Sequence, residues 1–106
     1  MPTFVLTYRN PTGYIPTVET RAAWMTWFEG MSSQLVDQGK PVVARTALGN
    51  CSPEGTELGG YSVIEARDLN AAIAVAKGCP HLDRHGGVEV GQLGEVSDLQ
   101  LLDNQA

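Results

Sequence analysis

An α+β fold follows from three observations on the sequence. Apolar residues switch between strand-type and helix-type spacing in the order β-α-β-β-α-β, the 106 residues suit one domain, and no apolar run approaches the length of a membrane span. With 42% hydrophobic residues and a net charge of −5, the chain is too apolar and too weakly charged to stay disordered. Twelve acidic residues face seven basic ones that are scattered singly, which predicts no affinity for nucleic acid.

Each element has its own signature. Thr3 to Arg9 alternates, with Phe4, Leu6 and Tyr8 on one face and Val5 and Thr7 on the other, and Asn10-Pro11 ends this first strand. Thr17 is placed to cap a long helix over Val18 to Gln38, which Gly39 and Pro41 stop. At about 100° per residue, Trp24, Phe28, Met31 and Leu35 form one stripe with Trp27 at its edge. Val42 to Leu48 reads as a second strand and Leu58 to Ala66 as a third, paired as a hairpin across the turn-rich segment from Gly49 to Glu57. Asp68 caps a second helix whose inward face is Leu69, Ala72, Ile73 and Ala76. A last strand covers Gly87 to Leu93. The domain therefore spans residues 1–94, and the polar tail 95–106, with Val96, Leu99, Leu101 and Leu102, is placed to pack on a partner or a sheet edge.

This order is the ferredoxin-like arrangement: one antiparallel sheet with both helices on one face. The opposite face should then be polar, yet Val5 and Thr7 in the first strand and both faces of the third are apolar or neutral. Packing that face on a second copy resolves the conflict, which predicts a homodimer of face-to-face sheets. The N-terminal Met1-Pro2-Thr3-Phe4 lacks a basic segment followed by an apolar run, so a cytoplasmic protein is expected, with Cys51 and Cys79 as free thiols and no membrane association.

The stretch Leu58-Gly59-Gly60-Tyr61-Ser62-Val63-Ile64-Glu65-Ala66-Arg67-Asp68-Leu69, followed by Ala76-Lys77-Gly78-Cys79-Pro80-His81-Leu82 and Gly86-Gly87-Val88-Glu89-Val90, resembles the YCII-related family. Trp24, Trp27 and the Leu35 to Gly39 segment extend the likeness. The resemblance implies a dimeric α+β barrel of ferredoxin-like protomers. Two signatures of the family are missing. The pairing of a first-helix histidine with an aspartate in an Asp-Pro-Tyr turn is replaced by a helix without histidine and by Cys79-Pro80-His81. An Asp-Gly-Pro-Phe motif found in another branch is replaced by Ser52-Pro53-Glu54-Gly55.

The candidate chemistry lies in Cys79-Pro80-His81-Leu82-Asp83-Arg84-His85. His81 is the acid-base candidate with Asp83 as its orienting group, because imidazole titrates near neutral pH and a carboxylate selects its tautomer. Cys79, His81, Asp83 and His85 alternate, but Pro80 breaks a regular strand and the spacing is unlike that of zinc sites, so neither a metal nor another cofactor is expected. Tyr8, Trp24, Trp27, Phe28 and Tyr61 are the candidate walls of a site for a small organic ligand. Acid-base isomerisation or a lyase step is one expectation. A non-catalytic binding module is the alternative, and a tautomerase using an N-terminal Pro2 as base is a further one.

Overall fold

The computed structural model describes residues 1–51 and 54–99. Its elements are β1 (Thr3–Pro11), α1 (Val18–Gly30), β2 (Leu35–Asp37), β3 (Thr56–Glu65), α2 (Leu69–Ala76), a 3₁₀ turn (Pro80–Asp83) and β4 (Gly87–Gln92). The strands form one antiparallel sheet in the order β2-β3-β1-β4, as a ferredoxin-like chain requires. Within the tail, residues 96–99 are helical and residues 100–106, with Leu101 and Leu102, lie outside the described residues.

Period-two alternation in β1 decides where the core sits. Phe4, Leu6 and Tyr8 are buried on the helix side, joined by Ile64 and Ala66 from β3 and its end, Ala72 and Ala76 from α2, Met31 and Cys79. Burying a residue such as Phe4 or Leu6 contributes about 2–3 kcal/mol each. Small Ala72 and Ala76 let α2 lie close to the sheet. Both helices are capped where the sequence places them. Thr17 Oγ1 accepts the Thr20 N–H at 3.1 Å while Thr20 Oγ1 accepts the Thr17 N–H at 2.7 Å, and Asp68 Oδ1 accepts the Ala71 N–H at 2.8 Å.

Two sequence expectations need correction. The first helix ends at Gly30, and Leu35 to Asp37, expected within it, form edge strand β2 on β3. Met31, Ser32 and Ser33 break the helical ladder, and the Met31 N–H closes the last turn on the Trp27 carbonyl. Helical and extended placements both turn Leu35 toward the core, so the apolar spacing did not discriminate between them. The hairpin of Val42 to Leu48 with β3 does not form either. The edge of β3 is already taken by β2, and the later segment meets the sheet through a Pro41–Gly60 bridge, the Val42 N–H to the Gly59 carbonyl, and the Arg45 side chain on Glu57 and the Leu58 carbonyl.

Candidate functional site

The β1–β3 ladder slips by one residue beyond Tyr8: Tyr8 pairs with Gly60 and Arg9 with Leu58, which leaves Gly59 as the extra residue of a bulge. A Cβ on Gly59 would collide with the Asn10 side chain, so the glycine makes room for that carboxamide. Asn10 continues the Phe4, Leu6, Tyr8 period toward the helix side, and its Oδ1 lies 2.6 Å from His81 Nε2. His81 arrives from the 3₁₀ turn, whose start is set by Pro80. Its carbonyl accepts the N–H groups of Arg84 and Gly86.

Only 2% of the His81 surface is exposed. The ring stands edge-on to Tyr14 (centroids 4.8 Å apart) and to Trp24 (4.9 Å). Burial pushes its pKa below the usual histidine value, and the Arg84 charge pushes the same way, so the imidazole is neutral at pH 7. Its Nδ1 is buried with no hydrogen-bond partner among the described residues. With the Asn10 oxygen accepting, Nε2 carries the proton and Nδ1 keeps a free lone pair.

A cleft of about 680 Å³ opens beside this ring, bounded by α1, the second half of β1, the middle of β3, and the 38–45 segment. Tyr8, Trp24, Phe28 and His81 border it together. Tyr8 lies in edge contact with Trp24 at 4.8 Å, and its hydroxyl donates to Ser62 Oγ at 2.7 Å, which donates to the Gln38 carbonyl at 2.6 Å. Burial holds the Tyr8 phenol well above the usual tyrosine pKa, so it stays protonated as a fixed donor.

Other candidates fall elsewhere. Asp83 is exposed and does not orient His81; two residues on in a turn of three residues per cycle, it points away from the histidine, and Asn10 takes the orienting place. Trp27 is behind the cleft, donating its indole N–H to the Val75 carbonyl at 3.2 Å and so tying α1 to α2. Tyr61 reaches the cleft border, but it pairs with Thr7, and alternation puts its ring on the sheet face opposite Tyr8. Pro2 precedes the far end of β1, roughly 20 Å of strand from Tyr8, and does not border the cleft. Cys79 is buried, its thiol pushed up to about 11 by desolvation, while His85 and Cys51 are exposed. Among the described residues no three His, Cys, Asp or Glu side chains converge.

Sequence reasoning missed Asn10, Tyr14 and Gln38. For Asn10 a signal existed: it continues the period-two alternation of the buried residues Phe4, Leu6 and Tyr8.

The YCII-related domain pattern matches residues 1–96. The chain belongs to the YCII-related family. No curated protein matches this YCII-related chain at a significant level. Among solved structures it is similar to the 5-chloro-2-hydroxyhydroquinone dehydrochlorinase of Burkholderia phenoliruptrix, determined in complex with 2,5-dihydroxybenzoquinone. The TM-score is 0.64 at 13% identity, over 91% of this chain and 97% of that one. This is a likeness of fold.

Proposed function

We propose that this YCII-related protein binds a small planar ring compound in the cleft beside His81 and moves a proton on it. The observation that carries the reading is the neutral, buried imidazole at the cleft wall, one nitrogen fixed by Asn10 and the other without a partner. Flat walls from Trp24, Phe28 and Tyr8 suit a ring, and the structural neighbour's quinone complex supports that ligand class. Nδ1 is itself covered, so such a step requires the imidazole to turn toward the cleft; Nδ1 then takes a proton from carbon and the C–H electron pair moves into the ring. The imidazolium then returns the proton at another carbon, an isomerisation, or the electron pair expels an anionic leaving group, a lyase step.

A binding-only role is favoured by a different observation. The partner of His81 is a carboxamide, so an imidazolium formed there gains no counter-charge from Asn10, and Arg84 opposes it. Ring-proton exchange separates the two. Hydroxyhydroquinone is incubated with the protein in D2O under nitrogen and its ring protons are followed by NMR. Exchange above the buffer rate is expected, cut by about 100-fold in His81→Gln while binding persists. Exchange that is absent, or equal in the variant, leaves only binding.

The same reading includes a homodimer formed through the outer sheet face. Val5, Thr7, Tyr61 and Val63 lie there, partly or largely exposed among the described residues and flanked by Val36 at the β2 edge. No helix among the described residues is long and apolar enough to cross a membrane.

A further inference from the structure

The charge around the cleft runs against the charge of the chain. Acidic residues outnumber basic ones by twelve to seven overall, yet Arg21, Lys40 and Arg45 border the cleft and no Asp or Glu among the described residues does. Arg45 is committed to the protein: its guanidinium pairs with Glu57 at 2.9 Å and donates to the carbonyls of Leu58 and Val42 at 2.9 and 2.8 Å. The side chains of Arg21 and Lys40 make no hydrogen bond or ion pair to any described residue. They stand on different elements, Arg21 on the second turn of α1 and Lys40 directly after the Gly39 turn. Both are exposed whereas Tyr8 and His81 are buried, so the cations form an outer rim and the aromatic walls an inner slot.

We propose that the ligand of this cleft is an anion, a planar ring bearing a carboxylate that Arg21 and Lys40 hold at the rim while the ring lies between the aromatic walls beside His81. This rests on the cleft being the ligand site, as proposed above, and adds the ligand's charge. Two unpaired cations over apolar walls make an attractive field for an anion on a protein whose net charge of −5 repels anions elsewhere. A neutral ring of the same shape gains the stacking contacts alone. The guanidinium offers paired donors matching a carboxylate edge, and the Lys40 ammonium adds a point charge from the other side.

Calorimetric titration of the full chain with two isosteric pairs, salicylate with salicylamide and benzoate with benzamide, tests this. The acids are expected to bind about tenfold tighter than their amides, with a preference that shrinks as salt is added. The double variant Arg21→Gln/Lys40→Gln should remove the preference and leave amide affinity within about twofold. Equal affinities in the native chain, or a preference unchanged in the double variant, overturn the anion assignment while the cleft reading stands on amide binding that Trp24→Ala abolishes. Failure of all four compounds to saturate overturns the cleft reading and the anion assignment together.

Discussion

His81 is the residue at which folding and chemistry meet. Burial and Arg84 hold its pKa below the usual 6.5, so between that value and its folded pKa the unfolded chain binds a proton that the folded chain refuses. Stability contributed by the neutral ring is therefore full above about pH 6.5 and is lost as pH falls through the folded pKa. Thermal midpoints measured from about pH 7.5 to 5 should fall more steeply for the native protein than for His81→Gln. Parallel slopes would show that another group sets the dependence. The histidine and its neighbour Trp24 were legible in the sequence because few side chains titrate near neutrality and few are as large as tryptophan. Asp83 misled because closeness along the chain is not closeness in a 3₁₀ turn, where a two-residue step rotates the side chain away.

At the scale of elements, the connection between β2 and β3 forms the cleft wall, and Gly39 is its fixed point. Its N–H donates to Asp37 Oδ1 at 2.8 Å, its φ is +78°, and a Cβ there would fall on the Tyr61 carbonyl. Gly49 shares the left-handed backbone (φ +70°) but faces open space. Gly39→Ala should thus cost roughly 2–4 kcal/mol, combining backbone strain with a clash against main chain, and Gly49→Ala only about 1 kcal/mol. Urea unfolding of the two variants measures the difference; equal costs would mean that the chain near Tyr61 yields. The strands β1, β3 and β4 and the helix α2 could be read from periodicity and caps. The β2 edge could not, because three residues are too few for a period and their one core-facing side chain fits a helix equally well.

At the scale of the whole molecule, a sheet covered by helices on one side leaves the other side to be explained. Its shortest dimension is 20 Å, about two layers. The proposed homodimer predicts that the native chain sediments as a dimer at micromolar concentration and that Val63→Glu, which puts a charge amid Val5 and Tyr61, sediments as a folded monomer. A native monomer would remove the dimer from the functional reading. Taken alone, the sequence determined the order of elements, the face of β1 that enters the core and the family, because those are written in local periodicity, caps and motif. Only the tertiary structure decided that Asn10 and not Asp83 meets His81, that Trp27 braces α2 behind the cleft, and that Arg21 and Lys40 share one rim. These are encounters between residues far apart in the chain, and some lie beside a bulge at Gly59 that shifts the β3 register against β1 by one residue. Local patterns carry no record of such a shift.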